Sequence, residues 1–241
     1  MLTCDSQPAI AVPPITTLKM KRAIDIVSSA LGLIFLSPVL LLIALAIRME
    51  TPGPAFFRQT RVGLNGHPFK IYKFRSMKVA KAPRCAPLTV RADKRVTRLG
   101  ALLRRTKIDE LPQLINVLAG DMSLVGPRPE VPEFMEFFSP AQRAVLLSMR
   151  PGMTDYAAIL FCNESELLDQ DKDPVSIYRY KILPIKFDYY ERYSHEVGAI
   201  TDLRIILATI SLLVTGHIPN ILGISSELQK PTMETIIIPP L

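Results

Sequence analysis

Residues that bind metals or form disulfides are scarce in this sequence. It contains three Cys, three His and no Trp in 241 residues. Cys4, Cys85 and Cys162 lie far apart without a CxxC pair, and the histidines are equally scattered. The pattern indicates neither a disulfide framework nor a zinc site, and it is typical of a protein from a reducing compartment.

Acidic residues are almost absent from the middle of the chain. Residues 48–107 carry 16 Lys and Arg but only two acids, a net charge of +14, whereas residues 109–241 carry a net charge of −8. Such a basic segment attracts anions, which are the phosphates of a small molecule, of a lipid surface or of nucleic acid. A solvated basic face would show the same charge pattern.

Apolar residues are abundant, at 49% of the chain with a mean hydropathy of +0.24. The longest apolar run covers residues 23–47 and reads AIDIVSSALGLIFLSPVLLLIALAI. It is about long enough to cross a bilayer and longer than the apolar core of a signal peptide. Lys19, Lys21 and Arg22 precede it and Arg48 follows it.

Two arrangements of this run stay open on the residues alone. A spanning helix would place one basic flank outside, against the positive-inside rule. A re-entrant helix, broken at Ser37-Pro38, would keep both flanks on the cytoplasmic side. Pro38 removes a backbone donor, and the Ser37 hydroxyl can bond to a carbonyl that the break frees.

The basic segment contains a predicted β-hairpin within residues 54–78. Two runs rich in aromatic and β-branched residues flank the turn sequence Gly63-Leu64-Asn65-Gly66. One face of the second run is expected to present Lys73 and Arg75 as anion ligands. An edge strand protected by charges is equally expected. Residues 79–92 contain two Pro without a clear period and are predicted to form a loop.

Two short helices are predicted between residues 97 and 118. In the second one, Pro112 is expected in the first turn, with Asp109 at or beside the N-cap and Glu110 just after it. A helix start carries positive partial charge, which keeps a carboxylate ionised and attracts phosphate. Asp109 therefore suits a nucleophile or a magnesium ligand, although simple helix capping explains the same residues.

A Pro-Arg-Pro tripeptide follows in the sequence GDMSLVGPRPE. Two prolines hold the backbone around Arg128, and a rigidly presented guanidinium is well suited to bidentate phosphate binding.

Taken together, the sequence resembles the small monotopic phosphoglycosyl transferases, also called bacterial sugar transferases or polyprenyl-phosphate hexose-1-phosphate transferases. The matching stretches are KRAIDIVSSALGLIFLSPVLLL, FFRQTRVGLNGHPFKIYKFRSM, ADKRVTRLGALLRRTKIDELPQLINVLAGDMSLVGPRPE and RPGMT. They occur in the order typical of the family and cover roughly residues 19–160. Weaker similarity extends to about residue 213.

The resemblance implies transfer of a sugar 1-phosphate from a UDP-sugar to polyprenyl phosphate, with UMP released. Asp109 and Glu110 match the catalytic Asp-Glu pair of the family, with Asp109 as the nucleophile that forms a covalent phosphosugar intermediate. Mg²⁺ is the implied cofactor, held near Asp109. Arg104, Arg128 and Lys73 fall on phosphate-binding or basic positions of the family.

The resemblance also implies a location and partners. The protein is expected on the bacterial inner membrane, with its catalytic part facing the cytoplasm, at the first membrane step of glycan synthesis. The expected partners are the UDP-sugar, the polyprenyl phosphate and membrane lipids, with a second copy of the chain as an option and no nucleic acid. A conventional glycosyltransferase that releases UDP and a non-enzymatic basic membrane adaptor are the rival hypotheses.

The expected fold is α+β and mostly helical, with a re-entrant helix, a small hairpin and amphipathic interfacial helices around one active site. Its predicted parts are a tail (1–18), the membrane helix (19–48), the catalytic domain (49–215) and a second tail (216–241). The helix predicted at residues 201–215 lies either on the membrane surface or in the core. The match weakens at Asp155, which departs from the family pattern, and Asp188 stays unassigned.

Overall fold

The structure is a computed structural model that describes residues 15–79, 93, 95–164, 168 and 173–217. The predicted loop at 79–92 and both predicted tails therefore lie almost wholly outside the described residues. At the N-terminal boundary, the first helix begins at Ile15 rather than at residue 19.

The described residues form a mostly helical α+β fold, which confirms the predicted fold class. The helices are α1 (Ile15–Glu50), α2 (Arg98–Arg105), α3 (Gln113–Ala119), α4 (Pro140–Leu147), α5 (Tyr156–Leu160), α6 (Pro174–Ile177), α7 (Leu183–Glu196) and α8 (Ala199–Thr215). The strands are β1 (Phe56–Val62), β2 (Pro68–Phe74), β3 (Ser123–Val125) and β4 (Gly152–Thr154). Shorter 3-10 segments lie at Leu64–Gly66, Ile108–Glu110 and Pro132–Phe137, and a π-helical turn lies at Tyr178–Ile182.

Helix α1 continues through Pro38 instead of breaking there. Proline has no N–H, so the carbonyl of Ile34, four residues earlier, loses its usual helical donor. The Ser37 hydroxyl donates to that carbonyl at 2.8 Å and replaces the missing bond. The replaced bond allows the helical backbone to continue, and the re-entrant path of the helix stays a prediction.

Both ends of α1 are attached to the rest of the molecule. Near its start, Lys21 forms an ion pair with Asp202 of α8 at 2.6 Å. At its end, the guanidinium of Arg75 donates to the carbonyls of Thr51 and Pro52 at 2.7 and 2.8 Å. Only 6% of the most apolar stretch between these ends is buried, and the helix is long and apolar enough to cross a membrane.

The hairpin is present as predicted. Strands β1 and β2 pair antiparallel in a continuous register from Phe56↔Phe74 to Val62↔Pro68. Asn65 and Gly66 reverse the chain with φ values of 55° and 79°, a left-handed conformation that these residue types adopt most readily. The register places Lys73 at the end of β2, directly before the chain leaves the hairpin.

A second sheet was not predicted from the sequence. Strands β3 and β4 pair in parallel, with Ser123 opposite Gly152 and Val125 opposite Thr154. A Cβ on Gly152 would lie only 2.1 Å from the backbone nitrogen of Gly126, so this close approach requires glycine. The pairing holds the end of β3, and with it the Pro-Arg-Pro segment, against the helical core.

The main core lies beneath these strands and is built by α5, α7, α8 and the π-helical turn. Its most buried members include Val125, Ile159, Ile182, Ile205 and Ala208. Helix α8 has two apolar faces, because its inner face packs in this core while Leu203, Leu207 and Ile210 are exposed. Both positions predicted for this helix, in the core and at a surface, are thus compatible with its packing.

Asn116 connects helix α3 to the hairpin. Its side chain is fully buried, and its Oδ1 accepts a hydrogen bond from the N–H of Tyr72 at 2.9 Å. Its Nδ2 donates to the carbonyl of Lys70 at 2.9 Å. One amide side chain therefore takes the place of a third strand beside β2 and sets the distance between the hairpin and α3.

The substitution Asn116→Ala should lower the free energy of unfolding by about 2–4 kcal/mol. It leaves an N–H and a C=O of β2 without these partners, at roughly 1–2 kcal/mol each because both are only partly buried. Urea unfolding in detergent micelles measures the change. The exposed Asn163 supplies the control, because Asn163→Ala should alter stability by less than about 0.5 kcal/mol. Equal effects of the two substitutions would contradict the assigned role.

Candidate active site

Glu110 lies at the centre of a cluster of charges. Its Oε1 accepts from the Lys73 ammonium at 2.8 Å and from Nη2 of Arg128 at 2.6 Å. Its Oε2 accepts from Nη1 of Arg128 at 3.2 Å, which completes a bidentate contact. The structure thus brings together three residues that lie far apart in the sequence and that the sequence singled out separately.

Three local features of the backbone bring Lys73, Glu110 and Arg128 together. Lys73 comes from the end of β2, and Arg128 from the segment that follows β3. Glu110 belongs to a 3-10 turn that starts after Lys107, whose φ of 56° reverses the chain after α2. Each residue is therefore placed by a strand end or a chain reversal, and all three side chains converge between the hairpin and the second sheet.

Asp109 has a different environment from its neighbour. Only 7% of the residue is exposed, and its Oδ1 is buried without a hydrogen-bond partner among the described residues. Burial and the adjacent charge of Glu110 raise the pKa of Asp109, while Lys73, Lys107 and Arg104 act in the opposite direction. A buried carboxylate oxygen with no partner is costly unless a ligand completes it.

The predicted placement of Asp109 at a helix N-cap was wrong. Helix α3 begins at Gln113 with Pro112 as its N-cap, and Asp109 lies one turn earlier in the 3-10 segment. Proline cannot donate to the carbonyl of Ile108, so the preceding turn closes with shorter-range bonds from Glu110 to Lys107 and from Leu111 to Ile108. The pKa of Asp109 is accordingly raised by burial rather than lowered by a helix start.

Glu110 stays ionised for the opposite reason. Burial alone would raise its pKa, but the charges of Arg128 and Lys73 hold the pKa well below its usual range. Glu110 in turn raises the pKa of Arg128, which keeps the guanidinium charged. The two adjacent carboxylates are therefore not a symmetric pair, because one is neutralised by cations and the other retains an oxygen without a partner.

The residues expected to bind phosphate surround this pair. Lys73 and Arg128 contact Glu110 directly, and each keeps donors beyond those contacts, since an ammonium has three and a guanidinium five. Arg104, on α2, is half-buried and close enough for its charge to lower the pKa of Asp109. The cluster therefore offers positive charge close enough to Asp109 to act on its carboxyl group.

The residues present fit a magnesium ion that is bound partly by the protein and partly by the phosphates of a substrate. The described residues contain no group of three or more His, Cys, Asp and Glu that could hold a metal by themselves. Mg²⁺ commonly binds through one or two carboxylates together with substrate phosphates. The unpartnered Oδ1 of Asp109 supplies one such ligand, whereas the oxygens of Glu110 are engaged by cations.

A group of polar residues that the sequence reasoning missed lies on the neighbouring side of Arg128. Arg61 donates to the carbonyl of Pro129 at 2.9 Å, and Tyr178 donates to Glu130 at 2.7 Å. Lys186 forms an ion pair with Glu164. No spacing in the sequence predicts these contacts, because the partners belong to segments that only the tertiary fold brings together.

Asp155 has a structural role that the sequence left open. Its Oδ1 caps α5 by accepting from the N–H of Ala158 at 2.8 Å. Its Oδ2 is buried without a partner among the described residues, and burial raises the pKa of Asp155 to about 6. Asp188, by contrast, is exposed on α7.

The chain is similar in sequence to several known proteins. The family model for "Bacterial sugar transferase" matches residues 16–216. The chain is 40% identical over 211 residues to a UDP-glucose:undecaprenyl-phosphate glucose-1-phosphate transferase of Caulobacter vibrioides, covering 87% of this chain and 75% of the relative. It is 52% identical over 121 residues to a putative undecaprenyl-phosphate N-acetylgalactosaminyl 1-phosphate transferase of Bacillus subtilis, covering 50% and 68%.

A third relative is much longer than the matched region. It is the UDP-glucose:undecaprenyl-phosphate glucose-1-phosphate transferase of Escherichia coli, which is 48% identical over 142 residues. The match covers 58% of this chain and 31% of that relative. The chain thus spans most of some relatives and about a third of others.

The buried Asp155 should make stability depend on pH. Because its pKa is higher in the folded chain, about 6 against the ordinary 3.8, the stabilisation from its protonation is complete below pH 3.8 and is lost as pH rises through 6. Two pKa units correspond to about 3 kcal/mol. Asp155→Asn keeps a good N-cap. Its unfolding free energy should therefore depend less on pH between about 3.5 and 6.5, the range that spans the two pKa values, as measured by urea titrations. Parallel pH profiles for both proteins would contradict this.

Proposed function

Because this chain belongs to the family of bacterial sugar transferases, we propose that it transfers a sugar 1-phosphate from a UDP-sugar to undecaprenyl phosphate and releases UMP. The relatives carry the names of such transferases for glucose 1-phosphate and N-acetylgalactosamine 1-phosphate. As a phosphoglycosyl transferase, the chain would act at the first membrane step of glycan synthesis.

The observation that carries the proposal is the unequal pair Asp109 and Glu110. Asp109 presents a buried carboxylate oxygen without a partner, next to a carboxylate that holds Lys73 and Arg128 in place. Phosphoryl transfer depends mainly on positioning and on neutralising negative charge that spreads over the phosphate oxygens. A carboxylate with a free oxygen, adjacent in the chain to a residue that fixes two cations, supports both requirements.

Two displacements at one phosphorus atom follow from this arrangement. The Asp109 carboxylate attacks the β-phosphorus of the UDP-sugar, the bond from that phosphorus to the bridging oxygen breaks, and UMP leaves with the electron pair. A phosphate oxygen of the polyprenyl phosphate then attacks the same phosphorus, and Asp109 leaves as a free carboxylate. The product is a polyprenyl diphosphate sugar, and the enzyme is regenerated.

The remaining residues of the cluster serve these steps in separate roles. Glu110 keeps Arg128 and Lys73 charged and oriented, and their other donors bind the oxygens of the transferred phosphate. Arg104 adds positive charge beside Asp109. A bound Mg²⁺, held by Asp109 and the donor diphosphate, would neutralise charge on the phosphates.

The attachment of α1 supports a monotopic arrangement. Lys21 near its start and Thr51 just after its end both contact the same body, through Asp202 and Arg75. A helix that crossed the bilayer would separate these ends by the thickness of the membrane. Helix α8 contacts α1 through the Lys21–Asp202 pair and has an exposed apolar face, which favours contact of α8 with the membrane surface.

In a monotopic arrangement, the reaction would take place at the membrane surface, where the phosphate of the acceptor lies. Undecaprenyl phosphate carries its phosphate at headgroup level, and the basic segment is suited to an anionic leaflet. Because UDP-sugars are cytoplasmic metabolites, we place the catalytic part at the cytoplasmic face of the inner membrane. Assembly into a homo-oligomer stays a prediction.

Substitution of the nucleophile tests the reaction directly. Purified protein, Mg²⁺, undecaprenyl phosphate and a panel of UDP-sugars should yield UMP, and Asp109→Asn should reduce that yield by at least about 10³-fold because no covalent intermediate can form. Without acceptor, intact-protein mass spectrometry should detect a sugar-phosphate adduct on the wild type alone. The exposed Asp188→Asn is the matched control and should retain activity within about twofold.

The products separate the proposal from its rivals. A conventional glycosyltransferase would release UDP instead of UMP, and a membrane adaptor would turn over none of the donors. Either result would overturn the proposed reaction.

The monotopic arrangement predicts the same labelling side for both ends of α1. Lys19→Cys and Met49→Cys, each in a chain without other cysteines, introduce thiols at exposed positions. Both should react with a membrane-impermeant maleimide in inside-out vesicles and neither in right-side-out spheroplasts. Labelling of the two positions from opposite sides would instead identify a spanning helix.

A further inference from the structure

A polar cavity of about 100 Å³ adjoins the catalytic cluster through Arg128. Its charged and hydroxyl-bearing lining residues are Arg61, Arg128, Glu130, Glu164, Tyr178 and Lys186. Arg61 comes from β1, Arg128 and Glu130 from the segment after β3, Tyr178 from the π-helical turn and Lys186 from α7. The cavity is therefore assembled from separate parts of the chain around a residue of the catalytic cluster.

The lining is unusually rich in buried charge for a core region. Lys186 is 3% exposed and Glu130 6% exposed, and burying such groups is costly even when they are paired. The Tyr178 hydroxyl donates a hydrogen bond to Glu130, and Lys186 forms an ion pair with Glu164. The Nε of Arg61 is buried without a partner among the described residues. A ligand with several hydrogen-bonding groups would complete this lining.

The chemistry of the lining selects a neutral ligand with many hydroxyl groups. Guanidinium and ammonium groups donate to hydroxyl oxygens, while the carboxylates of Glu130 and Glu164 accept from hydroxyl hydrogens. The same carboxylates would repel a phosphate placed among them. Tyr178 begins the π-helical turn Tyr178–Ile182, a distortion found frequently at functional sites.

The position of the cavity matches the position of the donor sugar. In a UDP-sugar, a single oxygen connects the sugar ring to the phosphorus that Asp109 would attack. The sugar ring must therefore lie next to the protein group that binds this phosphate. Arg128 contacts Glu110 of the catalytic cluster and also lines the cavity.

From these observations, and resting on the proposed function, we propose that this cavity binds the hexose of the donor. Glu164 and Lys186 are the specificity-determining pair, because they present one acceptor group and one donor group to adjacent ring hydroxyls. The Glu164 side chain is 25% exposed, so it can reach a ligand that enters from the surface. A site that hydrogen-bonds a hydroxyl discriminates strongly against donors that lack it or orient it differently.

The test compares UDP-glucose, UDP-galactose, UDP-N-acetylglucosamine and UDP-N-acetylgalactosamine as donors for the full chain in detergent. Glu164→Gln preserves the shape of the side chain and removes its charge. A second variant, Glu164→Gln with Lys186→Met, removes both charges and avoids leaving a buried lysine unpaired. Glu133→Gln, on the exposed side of the Pro132–Phe137 segment, removes a carboxylate outside the cavity and is the control. Thermal unfolding of each variant verifies that it is folded.

The expected result is a loss of selectivity without a loss of nucleotide binding. The ratio of kcat/KM between the best donor and its C4 epimer should fall at least about tenfold in both variants, a difference of about 1.4 kcal/mol. Inhibition by UMP should change less than twofold, because UMP lacks the sugar. The control should match the wild type in both measurements.

Three outcomes would overturn the inference. An equal fall of kcat/KM for all donors, with an unchanged ratio, would identify a structural role for the pair. A loss of UMP affinity of tenfold or more would mean that the cavity holds the uridine. A wild type that releases UMP from none of the donors would overturn the proposed function, and this inference with it, whereas the first two outcomes leave the proposed function standing.

Discussion

The contact of Glu110 with Lys73 and Arg128 is the interaction on which the rest of the site depends. A buried carboxylate is stable only when nearby cations compensate for its lost hydration, and here two cations do so at 2.8 and 2.6 Å. These three residues come from a strand end, a 3-10 turn and a loop after a second sheet. One charge cluster thus joins three otherwise separate segments and leaves Asp109 as the carboxylate with an unpartnered oxygen.

The surrounding fold determines the positions of Lys73 and Arg128 relative to Glu110. Asn116 fixes the hairpin against α3, and thereby the end of β2 that carries Lys73. The close approach of Gly126 and Gly152 brings β3 against β4 and so determines where Arg128 emerges. Small backbone and amide contacts of this kind can position charged groups because the interior is closely packed and yields little.

Helix α1 is coupled to the same body at both ends. Lys21 is paired with Asp202, which also accepts from the buried Tyr193 hydroxyl at 2.7 Å. Arg75 holds the opposite end through backbone carbonyls. These two attachments constrain the position and orientation of the rest of the molecule relative to the apolar segment of the helix that lies between them.

Local patterns in the sequence were sufficient for the hairpin, the long apolar helix, α2 and the helix at the C-terminal side, because turn residues and helical periodicity act over a few positions. The sequence also singled out Asp109, Glu110, Lys73 and Arg128, chiefly through family motifs. It misplaced the start of α3, because Pro112 changes the hydrogen bonding of the turn before it. Only the tertiary structure decided that Lys73 and Arg128 meet on Glu110, that β3 pairs with β4 and that a polar cavity adjoins Arg128. The physical reason is that these contacts join residues far apart in the chain, and burial and charge compensation select them only after the whole chain has packed.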